Sequence, residues 1–277
     1  MLKYLFGFFK EKEYDSSFWG HVDILRKYIF RSIFIFFLFS ILAFIYKDFI
    51  FNKVILLPGN TDFFTYRAFC YIGQQLGIEG FCFQSFKISL INTDIGGQFR
   101  YHLMISLISG IILSFPFMAY QLWLFVKPAL SEKELKSSRG IIFYISLLFI
   151  FGVLFGYYLV SPLTINFLAT YQLSAEIQNM ITISSYISIL SILTLSMGIV
   201  FELPVLIYFL TKIGLLSSQL LRKYRRHSIV VISILAAFIT PSGDMFSMLL
   251  VGFPIWVLFE ISIYVSKSVE RRKKLEI

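Results

Sequence analysis

The stretch YISILSILTLSMGIVFELPVLIYFL, residues 186–210, decides the fold. Its 25 residues contain a single charged side chain, Glu202. As a helix they extend about 37 Å at 1.5 Å per residue, enough to cross a hydrocarbon core of about 30 Å. The run is apolar on every side, so it has no polar face to turn toward water. Barrel strands would be shorter and would alternate. A helix in lipid, with each backbone group bonded internally, is the remaining solution.

Five further runs resemble it, at 28–46, 102–124, 141–160, 228–239 and 245–265, the last containing Pro254 and Glu260. The composition agrees. Of 277 residues 57% are hydrophobic and 15% charged, with 33 Phe and 16 Tyr. Soluble domains average roughly 25% charged. A soluble enzyme, a disordered chain and a secreted disulfide scaffold are excluded. The sequence predicts an all-α integral membrane protein, one domain over 1–277 with six transmembrane helices. Run 228–239 is short, about 18 Å as a helix. It either continues into the polar segment before it or fails to cross a full bilayer. No internal repeat of the kind common in transporters is visible. No small-residue cleavage site follows the first run, which is read as a retained anchor.

The net charge of +9 is a topology signal rather than a mark of nucleic-acid binding. Twenty of the 25 Lys and Arg residues fall in the N-terminal segment, the loops near 127–139 and 212–226, and the tail from Lys267 onward. That side is expected to be cytoplasmic, with both termini inside and the protein in the cytoplasmic membrane. The opposite side carries one long loop, about 48–100, rich in aromatic residues, which predicts a folded cap with short helices on the membrane surface. Cys70 and Cys82 both lie in it. They form a disulfide or remain as two buried thiols. There is no CxxC pair and no His cluster, so neither a metal site nor a cofactor is expected.

No catalytic array is present: HExxH, Walker A and GxSxG are all missing. PSGD at 241–244 lacks the first Gly of GxGD, and no enzyme activity is expected. Candidate residues are instead acids on a basic, apolar background. Glu202 lies deep in its run, where a charge costs about 2.5–3.5 kcal/mol. It is either a structural carboxyl bonded to a neighbouring helix or a contact for a partner or transported segment. Pro204 should kink the helix beside it. In the loop 120–136, Pro128 ends a helix, Ser131 can cap a new one, and Glu132 and Glu134 fall near its start. These acids either cap a surface helix or receive a basic ligand. HVDILRK at 21–27 sets Asp23 beside Arg26 and Lys27, which can be simple topology signals. Asp244 most simply caps the sixth helix.

Taken in order, these pieces resemble the TatC family of twin-arginine, Sec-independent protein translocases. The resemblance rests on HxxxLRK at 21–27, YQxWxFxxPAL at 120–130 followed by Glu134, FExP at 201–204, the Leu- and Arg-rich loop around 220–226, TPxxD at 240–244 and PxxxLFE at 254–260. It implies a concave arrangement of six helices with the fifth and sixth short. It also implies a receptor for twin-arginine signal peptides at the core of a translocase that exports folded proteins with the proton-motive force. Partners would be TatA-type and TatB-type single-span proteins, other copies of the chain, and membrane lipid. Carried over, Glu134 matches the loop carboxylate that binds the arginine pair, Arg26 a basic position and Leu130 the Leu beside the recognition surface. Glu202, with Pro204, matches the intramembrane acid facing partner helices, and Asp244 the acid of the outer loop. A second recognition carboxylate is expected immediately before Leu25. Ile24 stands there, and the nearest acid, Asp23, is turned by about 100° on a helix. The competing reading is a small secondary transporter or proton channel using Glu202 as carrier.

Overall fold

The structure is a computed structural model describing residues 18–60, 63–77, 89–129, 140–174, 179–240 and 242–275. It is almost entirely helical. The first long helix, α1, is Phe18–Ile45. A short helix α2, Lys47–Ile50, runs into a π turn, Phe51–Ile55, and a 3-10 turn, Leu57–Gly59. Helix α3 is Phe64–Leu76 and α4 is Gly97–Val126. Helix α5, Ile141–Phe155, passes through a π turn, Gly156–Val160, into α6, Ser161–Thr170. Helix α7, Ile183–Val200, breaks before α8, Leu203–Lys212. Helices α9, Ser218–Lys223, α10, Arg225–Ile239, and α11, Met245–Leu275, complete the order. Leu90–Ile91 and Ile181–Thr182 form a two-residue parallel pair.

Among the described residues five helical segments are long and apolar enough to cross a membrane: Val22–Ile45, Gly97–Val126, Ile141–Thr170, Ile183–Lys212 and Met245–Lys273. Helix α10 is the sixth apolar helix and, at 15 residues, the short one. Two bounds differ from the sequence reading. Residues 161–170, expected in a loop, remain helical. Pro162 falls at the start of α6, where its missing N–H costs nothing, and the π turn before it absorbs the change of register. The sixth helix, expected to be short, has 31 residues. Its uncharged part, Met245–Phe259, is only half of that, and the rest is the basic extension after Glu260.

Neighbouring helices pack α1 on α4, α4 on α5, α5 on α7, α8 on α11 and α10 on α11. The central contact is made by backbone approach. A Cβ on Gly152 would lie 2.6 Å from the Met197 carbonyl oxygen, and one on Gly156 2.9 Å from the Thr194 Cα. Small residues are what allow helices to close together without a hydrophobic driving force in lipid. Val160, Leu193, Met197, Phe201, Ala236 and Val251 fill the space beside this seam. We predict that Gly152→Ala, which forces two backbones apart, destabilises the protein by about 1–3 kcal/mol. Thermal unfolding in detergent should show a lowered midpoint, and an unchanged midpoint would contradict the close approach.

On the side away from the basic loops, tyrosines tie the chain after α1 to the later spans. Tyr186 donates to the Ile55 carbonyl at 2.7 Å and Tyr157 to the Val54 carbonyl at 2.6 Å. Tyr66 donates to both Pro58 and Pro162 carbonyls, at 3.1 and 2.9 Å. Phe63, almost fully buried, stacks on Tyr158 at 5.5 Å. Phe63 and Tyr66 of this loop therefore serve to dock it on the later spans. Cys70, on α3, is disulfide-bonded, and Cys82 lies outside the described residues.

Candidate recognition and intramembrane sites

At the basic end, Asp23 and Arg26 sit on the first turns of α1, both exposed. The Arg26 guanidinium lies 5.5 Å from the Phe30 ring centroid. Asp23 makes no hydrogen bond or ion pair with another described residue, so its carboxylate is available. Ile24, at the position where the family resemblance calls for an acid, is half-buried. Helices α1 and α4 run antiparallel: Phe44 stacks on His102 at 3.9 Å, Ser40 faces Gly110, and Phe39 meets Phe117. In such a pair the N-terminal end of α1, with Asp23, and the turn Lys127–Ala129 that ends α4 lie at the same end. Leu130 and Glu134 lie outside the described residues, so their side chains are not placed. The Asp23 end of α1 and the turn Lys127–Ala129, which precedes residues 130–139, thus share one end of the helix pair.

Two polar side chains were not singled out as site residues and prove informative. Gln121, in the same motif as Tyr120 and Trp123, is buried with its Oε1 lacking a hydrogen-bond partner. Arg225 was counted only as a topology signal, yet it holds Glu260 with its Nε 2.6 Å from Oε1 and its Nη2 on Oε2. No spacing rule links residues so far apart in sequence. The readable signal was that each charge ends the uncharged part of its helix. This pair marks the polar boundary at the base of the α10–α11 hairpin. Between it and the end of α10 there is only about 21 Å of helix, against about 30 Å of hydrocarbon.

Glu202 sits in the break between α7 and α8. The Glu202 N–H bonds to the Ile199 carbonyl at 3.1 Å, a tightened last turn, and Leu206 N bonds back to the Glu202 carbonyl at 2.9 Å. Pro204 is buried at the start of α8, where no N–H is needed, so the break falls just before it. The carboxylate is half-buried, and its Oε1 is fully buried without a partner. About 15 Å of helix separates it from Lys212, which places it near mid-membrane. Its surroundings are aromatic: Phe201 packs on Phe155 at 5.4 Å, and Phe149 stacks on Phe115. No described side chain neutralises the group, and no cluster of three metal-ligating residues exists among the described residues.

Asp244 opens α11. Its Oδ1 accepts from Ser247 N at 2.7 Å, and Oδ2 accepts from the Ser242 hydroxyl. Burial opposes its ionisation, but these hydrogen bonds outweigh burial and hold the carboxyl below its usual range. Its cap is therefore intact above the ordinary carboxylate pKa and is lost only as pH falls through the depressed value.

Residues 20–254 match the family model described as Sec-independent protein translocase protein (TatC). The chain belongs to the TatC family. A TatC protein of Blattabacterium sp. subsp. Periplaneta americana is 41% identical over 95% of this chain and 100% of its own length. One of Carboxydothermus hydrogenoformans is 33% identical over 91% of this chain and 93% of its own. A crystal structure of the twin arginine translocase receptor TatC superposes with a TM-score of 0.69, at 27% identity, covering 90% of this chain and 99% of that one. A second, in DDM, gives 0.71 at the same identity, covering 89% and 99%. The chain is thus a multi-span membrane component of the Sec-independent protein translocase, which acts in a complex with other Tat subunits. TatC belongs to protein translocation, not to a known enzyme class.

Proposed function

We propose that this TatC chain receives the twin-arginine signal peptides of folded cargo at its basic end. From there it organises their export across the cytoplasmic membrane. The observation that supports this reading is that the antiparallel pair α1 and α4 puts the Asp23 end of α1 at the same end as the turn Lys127–Ala129, which precedes Glu134 in the sequence. Two guanidiniums need planar acceptors that take them two bonds at a time, and carboxylates supply these. Glu134 is the principal acceptor, Asp23 a second from a turned position, Arg26 and Leu130 line the same surface, and both termini are cytoplasmic. Glu202, aided by the break at Pro204, offers its unpartnered oxygen to a polar group on a TatA-type or TatB-type helix. The short α10–α11 hairpin thins the lipid nearby and brings water toward that depth. Asp244 fixes the outer turn, several copies of the chain assemble together, and the proton-motive force supplies the work. The Cys70 bond closes on Cys82.

Inverted vesicles carrying the chain with both partner types should protect a folded twin-arginine cargo from added protease, and an uncoupler should abolish protection. The carrier reading of Glu202 predicts solute or proton flux through the chain alone in liposomes. Such flux without cargo protection would overturn the translocase assignment.

A further inference from the structure

Helix α3 leaves an exposed apolar face on which, among the described residues, only Phe64 makes a ring contact, at its edge. Phe64, Ala68, Tyr71 and Ile72 follow one another at i, i+4, i+7 and i+8, and Leu76 continues the row. Phe64, Tyr71 and Leu76 are each 65% exposed and Ile72 47%. Gln75 interrupts this face near its end, and Arg67 and Gln74 are exposed beside it. The opposite face docks through Tyr66 and Gly73, and Thr65 is buried at the helix start. Isolated exposed apolar residues are ordinary, but four large ones along one face of a helix of 13 residues mark a contact surface.

Depth identifies the occupant. Thr65 donates to the Tyr158 carbonyl and Tyr66 to that of Pro162. Tyr158 and Pro162 lie 17 and 21 residues beyond Ile141, where the span begins after the basic loop. Along the helix that is about 26–32 Å, the far edge of a hydrocarbon core about 30 Å thick. The face is also continuous with surface that already meets lipid. Phe64 packs edge-on against Tyr158 at 6.4 Å, and Tyr158, Leu154 and Phe151 of the same span are 41, 46 and 62% exposed. Tyrosine at this level suits the boundary, with its ring in the apolar zone and its hydroxyl in the headgroups. An amphipathic helix in this position lies in the interface with its apolar face sunk about 5–10 Å.

We propose that α3 is an in-plane anchor. It seats Phe64, Tyr71, Ile72 and Leu76 in the outer leaflet of the bilayer and so pins the outer end of the third span. Photolabelling of the intact wild-type protein in vesicles tests this. One probe is a phospholipid with a diazirine near the glycerol, the other a phospholipid with the diazirine at the acyl-chain end. After reduction and trypsin, α3 from Ala68 onward is recovered in a peptide ending at Lys87. The proposal predicts adducts on Tyr71, Ile72 or Leu76, with the glycerol-level probe labelling more than the chain-end probe. For Ile141–Phe155 the order should reverse. Absence of adducts from both probes, whether water or a second copy covers the face, would overturn it. Stronger labelling by the chain-end probe would overturn the interfacial depth.

Discussion

Glu134→Ala is expected to weaken capture of a twin-arginine signal peptide by about 10- to 100-fold, while Asp23→Ala weakens it by a few-fold at most. Hydrogen bonds to a charged partner contribute about 1.5–3 kcal/mol, and each 1.4 kcal/mol is tenfold in affinity. Glu134 is proposed as the principal acceptor because the motif at 120–130 that precedes it resembles the family's. Asp23 is one residue short of the position where the resemblance expects an acid, which Ile24 occupies, and it is exposed to solvent. Exposed ion pairs contribute at most about 1 kcal/mol, which bounds its share. Crosslinking a labelled peptide to membranes carrying each variant measures both effects. Equal capture by wild type and Glu134→Ala would remove Glu134 from the site.

The second large effect is at Glu202. Glu202→Ala should leave peptide capture within about twofold, under ~0.5 kcal/mol, and reduce export to near zero. The carboxylate lies about 15 Å of helix above Lys212, a span's half-length from the recognition end, so it makes no direct contact there. Its unpartnered buried oxygen also predicts what stability will do. Its removal breaks one hydrogen bond to the Phe149 backbone but also relieves the cost of a buried oxygen without a partner, so the unfolding midpoint should hold within about a degree or two. A carboxyl whose role is structural predicts the opposite, a fall in stability together with loss of export. Measuring unfolding, capture and cargo protection on the same preparation separates these cases. A lowered midpoint would make Glu202 a packing residue.

Much of the fold could be read from residues because lipid leaves few solutions. Runs such as 186–210, whose one charge is Glu202, and 102–124, which has none, are long and apolar all round; the second became α4 and the first α7 and α8, with outer ends shifted by only a few residues. Where the reading failed, the missing information was three-dimensional. Residues 161–170 are polar enough to suggest a loop, but Ser161, Thr164 and Asn166 are buried against other helices. The break at Phe201–Glu202 was visible through Pro204, whereas the seam of Gly152 and Gly156 was not. A glycine in an apolar run signals nothing until a second backbone is seen against it. The same limit hid Arg225 and Glu260. Arg225 read as one of a run of topology charges and Glu260 as an interfacial carboxylate, and only the hairpin shows that one neutralises the other.

Replacing the two arginines of a signal peptide by two lysines tests the central claim most directly. Lysine keeps both charges but loses the planar fork that a carboxylate can grip with two bonds. If this chain reads an arginine pair through Glu134, the purified protein should retain a fluorescent twin-arginine peptide and lose the twin-lysine peptide by about tenfold or more, one bidentate contact's worth of affinity. Equal retention of the two peptides would show that the basic end senses charge alone, and it would contradict the proposed recognition.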